Sequence, residues 1–247
     1  MNLVARALLA RAPGFKDCPP DVLDALVELG RSQVFARGDC ICSWGEASTE
    51  LCIVVEGILD SGRIRPDGQR YLVALLLSGD LMGLMHHVDG LGQPYDVWAR
   101  SQGTLLFVPT DAINELCQRY LVLGVAVQIY LSFRCRLLCE RLAGEMGMPL
   151  TVRFAALLLL LGRLHGQTQI DDPTVRIDVK LSQTDWADWL GASRQSVNAA
   201  IKQMETAGLV RFDYGGVRLL KLAALAAQAQ QGRAAPGRTR PYTVSTS

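Results

Sequence analysis

The chain has 247 residues, of which 49% are hydrophobic and 20% are charged, a composition typical of a globular protein with a buried core. Its 25 basic and 24 acidic side chains leave a formal net charge of +1, which excludes a chain that binds polyanions over its whole surface. The seven cysteines, an odd number without a recognisable secretory signal, indicate free thiols in a reducing cytoplasm and exclude a disulfide scaffold.

The N-terminal segment predicts short helices. Arg6 and Arg11 interrupt a small apolar run there, which favours an amphipathic helix over a secretory signal. A second short helix is predicted over residues 22–29. The apolar runs at residues 121–133 and 154–161 are shorter than a bilayer span. We therefore expect a soluble, cytoplasmic protein with no membrane partner.

Residues 33–108 carry short apolar runs separated by glycines, which predicts strands joined by tight turns. Evenly spaced short strands of this kind are typical of a compact β-roll or barrel. The runs are Cys40-Ile41-Cys42, Leu51 to Val55, Ile58-Leu59, Tyr71 to Leu75 and Thr104 to Val108, with glycines at 38, 45, 57, 68 and 79.

A long helix is predicted after the roll. Thr110-Asp111 begins a helix through Leu116, and a single long helix fits the chain from Arg119 to about Met146, which has no proline. Its middle is apolar nearly all the way round, which is more surface than the core of one chain can cover. We predict a symmetric dimer packed along this helix.

The segment after the long helix continues with mixed elements. Pro149 begins a helix over residues 151–164, followed by a polar loop at 167–174 and a strand at 175–179. Beyond Leu222, a helix rich in Ala and Gln leads into a tail that we expect to be disordered.

Residues 181–222 have the pattern of a winged helix-turn-helix. A capping box at residues 182–185 begins a short helix, Gly191-Ala192 supplies a turn, and Ser193 is a good N-cap for a second helix. Two short helices joined by a tight glycine turn are the helix-turn-helix arrangement. The apolar stretches on either side of Gly215-Gly216 predict a hairpin, which would be the wing.

The second of these helices has one apolar face and one polar face. Val197, Ile201 and Met204 recur at helical spacing, so they are expected to be buried. Polar residues at the start of such a helix can reach base edges, which predicts double-stranded DNA as a partner. Two amphipathic helices and a hairpin without nucleic acid would give the same pattern. Cap, turn, polar face and hairpin agree in order and spacing, which favours DNA.

Four short motifs accompany these predicted elements: Arg37-Gly38-Asp39, Glu56-Gly57, Ser78-Gly79-Asp80 and Gly191 to Val197. Together with a β-roll, a long helix and a winged helix-turn-helix in this order, they resemble the CRP/FNR family of bacterial transcription regulators over about residues 20–222. The resemblance implies an α+β fold with a cyclic-nucleotide-binding-like jelly roll, a dimerisation helix and a C-terminal winged helix-turn-helix. It also implies a homodimer on palindromic DNA, in which an effector shifts the population of two states.

The resemblance gives a division of the chain into five parts. We expect an N-terminal segment at residues 1–22, the sensory roll at 23–109, dimerisation helices at 110–147, the DNA-binding domain at 148–222, and a C-terminal helix and tail at 223–247.

The resemblance implies an effector pocket around Gly83, Leu84, Tyr95, Asp96 and Leu138. Cyclic-AMP binders of the family carry a Gly-Glu pair for the ribose and an Arg-Ser pair for the phosphate, whereas this chain has Gly83-Leu84 and Tyr95-Asp96. The phosphate would lose its arginine and face a carboxylate. The hydroxyls that reach the purine in those binders fall near Leu138. We predict that this protein does not bind cyclic AMP in the usual way.

Cysteine ligands to a metal or an iron-sulfur cluster are a second way in which the roll could sense a signal. Oxygen sensors of the family hold an iron-sulfur cluster through closely spaced N-terminal cysteines, and here only Cys18 lies there. The pair Cys40 and Cys42 shares a strand face and the pair Cys135 and Cys139 shares a helix face, so either pair could supply two metal ligands. Their apolar surroundings favour core positions.

Haem bound through a histidine is a third way in which the roll could sense a signal. His86 lies near the position of the axial ligand in haem-sensing relatives, although exposed loop histidines are commoner. A small apolar or weakly polar effector in the roll, or no effector at all, is the remaining alternative. The effector therefore stays unknown, and we assign no cofactor.

Within the resemblance, Arg194 matches the family's guanine-reading arginine, whose fork suits O6 and N7. The next family position is usually Glu and is Gln195 here, and Asn198 lies one turn after Arg194, so the half-site is expected to differ from the family's usual ones. Ser182 and Lys202 are expected to contact phosphate. The predicted DNA-binding set is Arg194, Gln195, Asn198, Ser182, Ser193 and Lys202.

No catalytic motif supports an enzyme. His165 is the only histidine besides the pair at 86–87, no nucleophile has a base at a motif spacing, and no phosphate-cradling glycine loop is present. RNA polymerase is a further candidate partner, because relatives present a loop to it at residues 167–174. That stretch has the composition of any solvated loop and receives no role.

Overall fold

The computed structural model describes residues 2–64, 70–144, 147–169, 172–213 and 215–231. The chain divides into two compact units, one of residues 1–143 with 184–191 and one of residues 144–183 with 192–247. The predicted α+β class, with a β-roll, a long helix and a C-terminal helix-turn-helix, is confirmed.

The helices and strands follow the predicted order. Residues 2–144 form α1 (Asn2–Leu9), α2 (Pro20–Glu28), β1 (Arg31–Phe35), β2 (Cys40–Cys42), β3 (Glu50–Glu56), β4 (Leu59–Ile64), β5 (Arg70–Leu76), β6 (Leu81–Met82), α3 (Leu84–Asp89), β7 (Asp96–Ala99), β8 (Gly103–Pro109), α4 (Thr110–Arg119) and α5 (Leu121–Gly144). Residues 150–230 form α6 (Leu150–His165), β9 (Gly166–Gln169), β10 (Asp172–Ile177), α7 (Gln183–Leu190), α8 (Arg194–Thr206), β11 (Val210–Asp213), β12 (Gly216–Leu219) and α9 (Leu222–Gln230).

The roll consists of two antiparallel four-stranded sheets, ordered β1-β8-β3-β6 and β2-β7-β4-β5. Strand β3 shows why its sequence is continuously apolar, since both of its faces are buried. Leu51, Ile53 and Val55 pack with the helices, whereas Cys52 and Val54 pack between the two sheets. Alternation of apolar and polar residues is expected only where one strand face meets water.

Helix α5 is separated from α4 by an extended residue, Tyr120, so the predicted long helix begins at Leu121, two residues after the predicted start at Arg119. The Tyr120 amide donates to the Leu116 carbonyl and ends α4, and the Leu123 amide donates back to the Tyr120 carbonyl. The predicted end near Met146 lies outside the described residues.

One face of α5 belongs to the core of the first unit. Leu123, Val127 and Tyr130 are buried there with α1, α2 and α4. By length and composition, residues Leu121–Cys139 could cross a membrane, so the expectation that this run is too short is wrong. The core helix of a soluble protein passes the same test, and the buried face of α5 is that of a helix packed on its own domain.

In the second unit, a sheet ordered β11-β12-β10-β9 packs with α6, α8 and α9. The predicted helix after Pro149 is confirmed, and its Phe154 ring lies 5.9 Å from that of Phe212 on β11. The predicted polar loop at 167–174 is wrong, because most of this stretch forms the hairpin of β9 and β10. Strand β9 lies at the edge of its sheet, and an edge strand needs no apolar run, so its sequence resembles that of a loop. The predicted disordered tail lies outside the described residues.

A buried network of hydrogen bonds connects α5 to the roll. The Tyr130 hydroxyl accepts from the Leu81 amide at 2.8 Å and donates to Oδ1 of Asp80 at 3.3 Å. Oδ2 of Asp80 accepts from the Leu77 amide at 2.8 Å, and Arg134 Nη1 lies 3.5 Å from Asp80 Oδ1. Burial raises the pKa of Tyr130, with a further contribution from Asp80, so the phenol stays protonated and able to donate.

We predict that Tyr130→Phe lowers the free energy of unfolding by about 1 to 3 kcal/mol, because it leaves the Leu81 amide and the Asp80 carboxylate without this partner in the core. Urea titration at one fixed protein concentration measures the loss. The control is Tyr120→Phe at a half-buried site, expected to change stability by less than about 0.5 kcal/mol. Equal small effects of both variants would contradict a structural role for the network.

Candidate DNA interface and effector region

The turn between α7 and α8 has the geometry that the sequence predicts. Gly191 adopts a positive φ of 59°, a backbone conformation that favours glycine. Ser193 is the N-cap of α8, and its Oγ accepts from the Ser196 amide at 3.1 Å. The cap satisfies one of the free amides at the helix N-terminus and fixes where α8 begins.

Helix α8 separates buried and exposed side chains as predicted. Val197, Ile201 and Met204 are buried, whereas Arg194 and Lys202 are exposed. Gln195 is exposed and Asn198 is half-buried, so the N-terminal half of α8 presents polar groups on the side away from its core. A recognition helix requires this arrangement, because its first turns contact base edges in the major groove.

Gln183 connects two of the predicted base-reading residues. Its Oε1 accepts from Arg194 Nε at 3.4 Å, and its Nε2 donates to Asn198 Oδ1 at 3.1 Å. Gln183 is not predicted from the sequence, because no helical spacing links position 183 to 194 and 198. The glutamine therefore contacts both side chains, through a hydrogen bond to the asparagine and a longer one from the arginine.

Ion pairs occupy several charged groups near α8. Arg176 pairs with Asp178 and Asp213, and Arg218 Nη1 lies 3.0 Å from Asp172 Oδ2. Within the part of the chain that the structure describes, the ion pairs of the second unit include neither Lys180, Lys202 nor Arg211, all three of which are exposed. These cations are available to phosphate groups.

The predicted wing hairpin is confirmed. Strands β11 and β12 pair from Val210 with Leu219 to Asp213 with Gly216. A side chain at Gly216 would place its Cβ 2.0 Å from the Ile177 carbonyl oxygen, so the close approach of β10 requires glycine. Hydrogen bonds from Arg176 hold the pKa of Asp213 down at about 2. This ionic contribution to the hairpin is present above about pH 4 and is lost as the pH falls towards 2.

The predicted effector residues occupy different environments in the first unit. Gly83 begins α3 with a φ of 88°, and a Cβ there would lie 2.6 Å from the Glu50 carbonyl oxygen, so its role is in the backbone. Leu84 is buried in the core next to the helices, and Tyr95 packs against the core between the sheets.

The other two effector residues are partly solvated. Asp96 Oδ1 accepts from the Trp44 amide at 2.8 Å. Leu138 is 44% exposed on α5. A shallow pocket of about 200 Å³ lies elsewhere in the roll, and none of its lining residues belongs to the predicted effector set. They are Gln33, Phe35, Asp39, Cys40, Ile41, Leu105 and Phe107.

The core positions expected for the cysteine pairs are wrong. Cys40, Cys135 and Cys139 are exposed, and Cys42 is half-buried. Burial raises the pKa of Cys42 to about 12, so this thiol stays protonated at neutral pH. An apolar run placed these cysteines correctly on a strand and a helix, but it did not show which face of each element the core covers.

The histidine pair lies on helix α3 and not in a loop. His86 and His87 are half-buried, and His86 Nδ1 contacts the Leu91 carbonyl oxygen. Met85 is 48% exposed and Val88 is 62% exposed on the same helix, so these two apolar side chains beside His86 face solvent. Among the described residues, no three His, Cys, Asp or Glu side chains are grouped to hold a metal ion.

Arg100 carries the densest ion-pair cluster of the first unit. Its guanidinium pairs with Asp60 at 3.0 Å, with Asp188 at 2.8 Å and with Asp185. Asp185 belongs to the predicted capping box, and its carboxylate accepts from this arginine. No motif connects these positions in the sequence, so the cluster was not predicted.

Comparisons with known proteins agree with this architecture. Residues 32–120 match the cyclic nucleotide-binding domain, and residues 152–228 match the Crp-like helix-turn-helix domain. A CRP-like cAMP-activated global transcriptional regulator of Mycobacterium tuberculosis is 26% identical over 206 residues, which cover 83% of this chain and 91% of that protein. The nitrogen fixation regulation protein FixK of Bradyrhizobium diazoefficiens is 26% identical over 207 residues, covering 78% of this chain and 79% of that protein.

A solved structure shares the fold. The structure of FixK2 from Bradyrhizobium japonicum superposes with a TM-score of 0.68 at 19% identity, covering 84% of this chain and 99% of that one. The order of the roll, the long helix and the capped recognition helix, together with the two domain matches, leads to one conclusion: the chain belongs to the CRP/FNR family of transcription regulators.

Proposed function

We propose that this regulator reads a palindromic DNA site as a homodimer. The observation that carries the proposal is the N-terminal half of α8, a capped helix that is anchored by a buried apolar face and exposes polar groups opposite it. Its positive end and its free amides favour an approaching phosphate.

Each polar residue of this surface has a role in the proposal. Arg194 donates two hydrogen bonds to O6 and N7 of guanine, and Gln195 and Asn198 read an adenine edge. Lys202 and Ser182 contact phosphates and set the register of the protein on the duplex. Ser193 fixes the start of the helix through its cap and completes the set.

The homodimer forms along the exposed face of α5. Seven exposed residues recur at alternating steps of four and three, the repeat of a two-stranded coiled coil. We call these residues the α5 seam: Leu121, Val125, Gln128, Ser132, Cys135, Cys139 and Leu142. A symmetric partner covers the exposed leucines and valine of this face. The five-part division of the chain given above remains part of the proposal.

Cyclic AMP in its usual pose is not the effector in this proposal. The Mycobacterium tuberculosis relative is named as cAMP-activated. In this chain, however, Leu84 is packed in the core and offers no carboxylate to a ribose, and Asp96 brings a negative charge to the position of the phosphate.

The first prediction from this proposed function concerns recognition of the DNA sequence. Purified protein should select a palindrome from random duplex DNA, with half-site centres about 34 Å apart. Arg194→Ala should weaken binding to that operator by about 1 to 3 kcal/mol and relax one position in each half-site. Fluorescence anisotropy on the operator and on variants of each base pair measures both effects.

Matched variants separate base recognition by Arg194 from electrostatic attraction of phosphates by Lys202. Lys202→Ala should weaken binding to all sequences alike and reduce the salt slope by about one per subunit. Arg119→Ala removes an exposed arginine of α4 and should leave binding unchanged. If Arg194→Ala binds the operator with unchanged affinity and preference, Arg194 is not the base reader. Enrichment of a site without two-fold symmetry would contradict the palindromic homodimer.

The second prediction concerns the dimer. Val125→Glu places two like charges face to face in the α5 seam, and we expect its dimer dissociation constant to rise at least tenfold in sedimentation equilibrium. Val88→Glu on α3 is the matched control, because the two valines are 50% and 62% exposed. A dimer that tolerates Val125→Glu as well as Val88→Glu would show that the subunits associate through another surface.

The third prediction concerns the effector. Isothermal titration should detect no micromolar binding of cyclic AMP to the wild-type protein. Tyr95→Arg/Asp96→Ser restores the family's phosphate-binding pair and removes the carboxylate, so it should bind cyclic AMP more tightly than wild type. Micromolar binding by the unmodified chain would overturn this part of the proposal, whatever the double variant does.

A further inference from the structure

Three of the seven cysteines are exposed, and two of these three lie in the α5 seam. Cys135 and Cys139 are one helical turn apart, on the face of α5 opposite the residues buried in the first unit. Neither thiol is covered by the part of its own chain that the structure describes. Cys40, the third exposed cysteine, lies on β2 and outside the seam.

In the proposed homodimer, on which this inference rests, each seam residue faces its own counterpart. Both DNA-binding regions follow α5 in the chain and must meet one duplex, so the two α5 helices run in the same direction about the two-fold axis. Helix axes about 8 to 10 Å apart and Cα atoms about 2.3 Å from each axis place facing Cα atoms about 3.4 to 5.4 Å apart. The upper half of this range lies within the Cα separation of about 4.4 to 6.8 Å that a disulfide requires.

We propose that Cys135 and Cys139 form a redox site across the dimer axis, where each thiol joins its counterpart in a reversible intersubunit disulfide when a peroxide is present. One thiolate attacks the peroxide and becomes a sulfenic acid with loss of water. The facing thiol then displaces a second water and forms the S–S bond. In total, two thiols lose two hydrogens and two electrons, and one hydrogen peroxide is reduced to two waters.

The position of the thiols gives this chemistry a consequence for the regulator. Disulfides in reducing compartments are usually transient and serve redox sensing. A covalent link along the dimerisation helix prevents the subunits from separating on dilution, whereas the reduced dimer follows mass action. The oxidised protein is therefore expected to stay dimeric at concentrations at which the reduced protein dissociates.

The test treats the purified full-length protein with hydrogen peroxide and resolves it on a non-reducing denaturing gel. Wild type should give a covalent dimer of twice the 26.9 kDa chain mass, which dithiothreitol converts back to monomer. Mass spectrometry of proteolytic fragments should find Cys139 joined to Cys139, or Cys135 joined to Cys135. Cys40→Ser is the control and should cross-link like wild type. Cys135→Ser/Cys139→Ser should reduce the covalent fraction at least tenfold.

Sedimentation equilibrium of the reduced proteins distinguishes failure of the redox site from failure of the homodimer. A double serine variant that remains a dimer without cross-linking is the expected result. Undiminished cross-linking of that variant would locate the reactive thiols elsewhere and overturn the proposal. A wild-type dimer that does not cross-link would overturn the redox site while the homodimer stands. Monomeric wild-type protein would overturn both.

Discussion

Helix α5 carries apolar side chains on opposite faces, and the described residues of one chain cover only one of these faces. Leu123, Val127 and Tyr130 complete the core of the first unit. This face of α5 could not leave the core without exposing the apolar side chains of the roll. Leu121 and Val125 on the other side are 80% and 50% exposed, and covering them requires a surface that the described chain does not supply. In the proposed homodimer, dimerisation and the integrity of the roll thus depend on the same 24-residue helix.

Periodicity and turn chemistry predict most of the fold. The cap at Ser193, the hairpin around Gly216 and the buried face of α8 follow from local rules, because neighbouring residues determine them. Errors arise where tertiary contacts decide. The strand β9 has no apolar run because it lies at a sheet edge, and the face on which Cys135 and Cys139 lie depends on which side of α5 the roll covers. An apolar run does not carry that information.

The residues of the candidate site also fall into those that local sequence patterns predict and those that depend on tertiary contacts. Arg194, Gln195 and Lys202 were accessible to sequence reasoning, because residue type and helical spacing define a polar face. Gln183 and Arg100 were not, because their partners lie far away in sequence and no motif relates them. The effector region is the least predictable part. The resemblance identified five positions there, and the structure gives Gly83 a backbone role and Leu84 a core role.

The support that Gln183 gives to Arg194 and Asn198 is uncharged, since an amide side chain has no titratable group at physiological pH. Counterions that compete with lysine and arginine for phosphates therefore do not compete for this contact. In the proposed DNA complex, rising ionic strength weakens the phosphate contact of Lys202 with every sequence alike, whereas the hydrogen bonds between Gln183 and the two proposed base readers release no counterions.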